Sequence, residues 1–177
     1  MAESRSYIGR KSRISGKQFE DWISMSCNYY WEAGVAWIEK TPEPVKYLKP
    51  YERSRDRREF VACFEKMAQP DFKGALCDGS MIVFEAKHTE KDRISQDVVS
   101  EEQKKEFERY EKLNAHCYVI VSLRMTDFYR VPWDVWKKMK SRYGHKYMSA
   151  QELEEFRLKQ KGTNILFLEG VELHDYQ

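Results

Sequence analysis

The stretch "PDFKGALCDGSMIVFEAK", residues 70–87, brings Asp71, Glu85 and Lys87 to the ends of an apolar run. Charged groups rarely leave water unless something pairs with them. Glu85 and Lys87 therefore either satisfy each other or belong to a site. Side chains alternate along a strand, so these two share one face with backbones about 7 Å apart. That spacing does not force an ion pair, and it suits two groups reaching toward one bound object. Two carboxylates brought close, Asp71 and Glu85, resist being ionised together. A divalent cation reverses that balance, and hard oxygen ligands suit Mg2+, with Mn2+ able to substitute. Such an ion acidifies a bound water and neutralises charge on a phosphate, while Lys87 adds a fixed positive charge. The chemistry these parts fit is metal-assisted hydrolysis of a phosphodiester.

Whether Asp71 and Glu85 converge depends on the turn between their strands. A two-residue loop, Asp78-Gly79, places Asp71 opposite Ala86 and turns it away. A three-residue loop, Cys77-Asp78-Gly79, with Gly79 left-handed in a bulge, places Asp71 opposite Glu85. We expect the odd-length turn.

The surrounding pattern predicts the elements that carry this hairpin. Residues 1–14 read as a flexible basic arm, and 15–177 as one domain. Ser15 with Gln18 has capping-box spacing, and Phe19, Ile23, Cys27 and Tyr30 recur at helical spacing up to Gly34. Glu20 sits at the edge of that apolar face, either solvated near a helix start or reaching the metal site. "VAWIEK" (35–40) reads as a strand. The segment 41–58 holds three prolines and reads as a projecting excursion, and "EFVACFEKM" (59–67) leads back as a strand. Ser100 and Gln103 form a second capping box, so Gln103 is either its own cap's acceptor or a site residue. "HCYVIVSLR" is a buried strand, "DFYRVP" its pair, and "PWDVWKKMKSR" a helix turning Trp133 and Trp136 inward, with Pro132 in its first turn. Ser149 with Glu152 opens a short helix before "NILFL", a last strand. The order indicates an α/β fold, a mixed sheet flanked by helices.

The chain has 177 residues, with 31 basic and 29 acidic, so its net charge of +2 identifies no partner. The distribution is more informative. Between Lys46 and Arg58 there are six basic residues, Lys46, Lys49, Arg53, Arg55, Arg57 and Arg58, against two acidic ones. A basic projection of this kind suits phosphate contacts, which position DNA without reading its sequence. Cys27, Cys63, Cys77 and Cys117 lack zinc-site spacing and read as small core hydrophobes in a reducing compartment. No run is long enough for a membrane span and the start lacks a signal-peptide pattern, so a soluble, cytoplasmic protein is expected. His88 reads as a surface residue. Tyr29, Tyr30 and Trp31 read as core rather than as a base-stacking platform.

The "PD…EAK" pattern resembles the PD-(D/E)XK nuclease superfamily. More narrowly, "GKQFEDWISMSCNYYWEAGVAWIEKTPEP" (16–44) and "DFKGALCDGSMIVFEAKHT" (71–89) are similar to RecU-type Holliday junction resolvases. The likeness extends from about residue 16 to 136. It implies a restriction-endonuclease-like core, with Asp71 and Glu85 as metal ligands and Lys87 as the catalytic lysine. Glu20 and Gln103 would support the site. It also implies a homodimer that cuts opposed strands of a four-way DNA junction symmetrically. The basic excursion occupies the place of that family's stalk. The compact size and divergence suit a phage-encoded member, acting in a bacterial cytoplasm. The chain departs from the family pattern at Gln69-Pro70, where threonines are usual. It departs again at Val83, where an acidic residue is common, and in an Asp71-to-Glu85 gap one residue longer than expected.

Two rivals remain open. One is another nuclease of the superfamily, acting on flaps, nicks or duplex ends, because a fold does not choose its substrate. The other is a DNA-binding module without chemistry, in which Glu85 and Lys87 are a structural pair.

Overall fold

A computed structural model describes residues 2–50, 60–64 and 69–171, with side chains for 15–49, 60–63 and 69–171. Helix α1 (Ala2–Glu32) buries Phe19, Ile23, Cys27 and Tyr30 in one stripe. It ends as the sequence predicts: Gly34 takes φ 68°, its N–H donates to the Trp31 carbonyl, and Val35 N–H donates to that of Tyr30. A left-handed glycine closes the last turn in this way. The beginning differs from expectation. The backbone is helical from Ala2, so α1 begins well before Ser15, and Ser15 does not cap a helix. Residues three apart are neighbours inside a helix as well as at its start, so the Ser15–Gln18 spacing marks no boundary. The Ser15 hydroxyl donates instead to Glu90, 3.2 Å away.

Strands β1 (Ala36–Lys40), β4 (Phe72–Leu76), β5 (Met81–Thr89), β7 (His116–Leu123) and β8 (Asp127–Pro132) form the main sheet in the order β1-β4-β5-β7-β8. β5 and β7 are parallel and the other neighbours antiparallel, so the sheet is mixed. The parallel pair needs a crossover. It is supplied by β6 (Arg93–Ser95), a 3-10 turn and helix α2 (Glu101–Glu111). On one face Phe19, Ile23 and Tyr30 of α1 pack with Ile38, Phe72, Ile82, Phe84 and Ile120. On the other, Val83, Val119 and Val121 pack with Phe107 of α2 and with Trp133, Trp136 and Met139. β5 is thus buried on both sides of its centre, as its apolar run requires.

The tryptophan segment is two short helices, α3 (Trp133–Lys137) and α4 (Met139–Tyr143), broken where Lys138 leaves helical geometry at φ −99°, ψ 12°. Pro132 ends β8 and precedes α3 instead of sitting in its first turn. Both tryptophans point inward as expected. The remaining short elements are β9 (Tyr147–Ser149), which pairs with β6, then α5 (Ala150–Leu153), β10 (Gln160–Lys161) and β11 (Asn164–Ile165). The capping boxes at Ser100 and Ser149 both form.

The excursion contains a strand. β2 (Val45–Pro50) pairs antiparallel with β3 (Phe60–Phe64), with an irregularity between Tyr47 and Lys49. Lys46 and Lys49 are exposed on it; Arg53, Arg55, Arg57 and Arg58 lie outside the described residues. Cys27 and Cys117 are buried as expected, whereas Cys63, on this ribbon, and Cys77, in the β4–β5 loop, are exposed. Neither location offers a core for them to join. Among the described residues no helix is long and apolar enough to cross a membrane.

Candidate active site

The β4–β5 turn is the odd-length one. Phe72 pairs with Phe84 and Ala75 with Met81, a register that places Asp71 opposite Glu85. Gly79 takes φ 82° and donates to the Leu76 carbonyl, while Leu76 N–H donates to Ser80 across the three-residue loop. Asp78 secures the loop by accepting from the Ser80 amide at 2.9 Å and the Ser80 hydroxyl at 2.6 Å. Gly74 serves a separate need. A Cβ there would lie 2.0 Å from the Trp37 carbonyl oxygen, so only glycine lets β1 lie this close to β4.

The two acidic residues then interlock through backbone and side chain. Asp71 N–H donates to Glu85 Oε2 at 3.2 Å, and Ala86 N–H donates to Asp71 Oδ2 at 3.0 Å. Lys87 reaches across the pleat to Glu85 Oε1 at 2.5 Å and stands 3.9 Å from Asp71 Oδ2. The pair that backbone spacing does not force is made by side-chain reach. Gln103, in the first turn of α2, closes the group. Its Oε1 accepts from the Ser100 amide at 3.0 Å, and its Nε2 donates to Glu85 Oε1. One side-chain amide thus both caps α2 and contacts Glu85.

Glu85 has no exposed side-chain surface. Burial first, then the Asp71 charge, push its carboxyl up to about 8, against the opposing pull of Lys87. Burial alone would push the Lys87 ammonium down. The charges of Glu85 and Asp71 and the Glu85 hydrogen bond outweigh it, and the group is raised. An acidic site held in this state gains from a further cation. The donor set fits a hard divalent ion: Asp71 and Glu85 offer oxygens only, as Mg2+ and Mn2+ prefer, and Mg2+ binds through one or two carboxylates plus water and phosphate. Among the described residues no third acidic, histidine or cysteine side chain completes a protein-only cage.

Glu20 does not join this group directly. It pairs with Lys40, the last residue of β1, at 2.6 Å, though its charge is felt at Lys87. The physical reason is alternation: Lys40 is paired with Phe72, whose side chain packs on the α1 side, whereas Glu85 and Lys87 share the Val83 side. Sequence reasoning passed over Lys40, although a strand ending in charge immediately before Thr-Pro is a signal that could have singled it out. His88 also differs from expectation. Its side chain is 1% exposed, with Nδ1 3.1 Å from the Ser122 hydroxyl and Nε2 3.3 Å from Glu90. The parallel pairing of His88 with Ser122 buries it, which a single strand's pattern does not reveal.

A hairpin that brings Asp71 to Glu85-x-Lys87 in a mixed sheet backed by the first helix is the arrangement of the PD-(D/E)XK class. A family model described as Recombination protein U matches residues 14–173, and the chain belongs to that family. Among curated relatives, a Holliday junction resolvase RecU from Bacillus pumilus is 30% identical over 162 residues, covering 84% of this chain and 78% of that protein. One from Streptococcus oralis is 36% identical over 75 residues, covering 42% of this chain and 37% of that protein. The streptococcal alignments thus span well under half of those relatives' length. A solved structure of Hjc, a Holliday junction resolvase from Archaeoglobus fulgidus, aligns with TM-score 0.49 and 13% identity over 80% of this chain and 93% of that one.

Proposed function

We propose that this protein is a metal-dependent, structure-selective DNA endonuclease that resolves four-way junctions by paired phosphodiester hydrolysis, acting as a homodimer. The observation that carries the reading is the convergence of Asp71, Glu85, Lys87 and Gln103 in a chain of this family. Asp71 and Glu85 would hold Mg2+ or Mn2+, which supplies Lewis acidity toward a water and the scissile phosphate. Gln103 keeps Glu85 oriented through the hydrogen bond that its Nε2 donates to Glu85 Oε1. Lys87, already poised 2.5 Å from Glu85, would present its charge to the phosphate or the attacking water. Glu20 supports the acidic side of the site from α1. Lys46 and Lys49, with Arg53, Arg55, Arg57 and Arg58, would bind backbone phosphates along the projection, and two-fold symmetry would present two such sites to opposed strands.

The test is cleavage of a labelled mobile four-way junction, a flap and a linear duplex, with and without Mg2+, by wild type and Glu85→Gln. Paired, symmetric nicks on the junction alone, lost in the variant, are expected. Cleavage of all three substrates would keep the nuclease and discard junction selectivity. Tight binding without cleavage in any metal would leave a DNA-binding module.

A further inference from the structure

Among the described residues the Lys40 ammonium, at the end of β1, pairs with the carboxylate of Glu20. Its ladder partner Phe72 adjoins Asp71, and the next amide, Thr41 N–H, donates to the Asp71 carbonyl at 2.8 Å. Charge from Asp71 reaches Lys40 and charge from Glu20 reaches Lys87, so the pair borders the acidic cluster. The two lysines differ in access. The Lys40 side chain is 46% exposed and that of Lys87 23%. An ion pair this open to water adds little to stability, so its cation is available for exchange.

Beyond Lys40 the chain passes through residues 41–44 into β2, where Lys46 and Lys49 are exposed. A DNA strand running from Asp71, Glu85 and Lys87 to the ribbon would cross the end of β1. Resting on the nuclease reading above, we infer that Lys40 is a phosphate-binding residue at the root of the β2–β3 ribbon, masked by Glu20 in the free protein and transferred to a backbone phosphate beside the cleavage position when DNA binds. The cost is the loss of a partner for the Glu20 carboxylate, whose side chain is 28% exposed, and the gain is a phosphate contact with counterion release.

The experiment is binding of a four-way junction in EDTA between 50 and 200 mM KCl, by wild type, Lys40→Met, Lys40→Arg and Glu20→Gln. One phosphate contact adds about 0.9 to the slope of log affinity against log salt. The advantage of wild type over Lys40→Met should therefore shrink about three- to fourfold over that range, while Lys40→Arg keeps the wild-type slope. Glu20→Gln, which removes the mask, should bind more tightly with the slope unchanged. Equal slopes for wild type and Lys40→Met would overturn the inference and leave Lys40 as a residue that only orients Glu20. If Lys40→Met fails to melt cooperatively, the Glu20→Gln arm decides, and unchanged or weaker binding there overturns the inference as well. Failure of wild type to bind the junction would instead bring down the nuclease reading together with it.

Discussion

The chain builds two antiparallel hairpins, β2–β3 and β4–β5, and uses them in opposite ways. The β4–β5 hairpin is flanked by β1 and β7, and buries Phe72, Leu76, Ile82 and Phe84 completely or nearly so. Among the described residues β2 and β3 pair only with each other, and Val45, Tyr47, Leu48 and Phe60 stay more than half exposed. The difference separates two physical tasks. A carboxylate such as Glu85 is perturbed only where water is excluded and neighbours are fixed. Contacts to a long polyanion need the reverse, charges that reach into solvent. An isolated two-stranded hairpin is marginal alone, so the ribbon adds little to the stability of the core.

Substitutions that act on one hairpin and spare the other test this division. The largest effect is expected from Glu85→Gln, which should lower the single-turnover cleavage rate by at least about 10²- to 10³-fold, the usual size for loss of a charge-stabilising group. Junction affinity in EDTA should be retained, and a parallel loss of affinity would show that the buried cluster also holds DNA. Next is Gly74→Ala. Its new methyl group would meet the Trp37 carbonyl and force β1 off β4, costing about 3 kcal/mol in urea denaturation. A variant as stable as wild type would mean that this edge of the sheet yields. Lys46→Ala with Lys49→Ala should flatten the salt slope of binding by about 1.8, two phosphate contacts, with the melting temperature within about 2 °C of wild type. A large drop in melting temperature would show the ribbon to be part of the core.

The smallest effect is on pH dependence. The Arg157 hydrogen bond, helped by that of Thr126, holds the Asp127 carboxyl below its usual range. A depressed carboxyl lends stability that is present above the unfolded value, about 3.9, and is lost as pH falls through the folded one. Wild type should therefore lose slightly more stability than Asp127→Asn on acidification from pH 5 to pH 3, as measured by urea midpoints. Equal losses would make this surface network energetically silent.

Features set by local chemistry were legible in the sequence. The boxes at Ser100 and Ser149, the glycine end of α1, the buried β7 and the three-residue turn each depend on a few neighbouring residues, and each forms. Features that depend on distant partners were not. The start of α1, the pairing of β2 with β3 and the exposure of Cys63 and Cys77 have no local signature. His88 is buried by a strand that arrives 34 residues later. Glu20 was placed near the site, but its tie to Lys40 needed the register of β1 on β4.

The sequence by itself determined which groups could do chemistry and, through the parity of one turn, that Asp71 would stand opposite Glu85. Alternation along a strand makes that a local consequence of loop length. Only the tertiary structure decided how those groups are held: Gln103 on Glu85 through a capping amide, Lys87 across the pleat, and Glu20 on Lys40. Sheet order and helix placement bring these partners within reach, and the withdrawal of water that perturbs Glu85 exists only once both faces of β5 are covered.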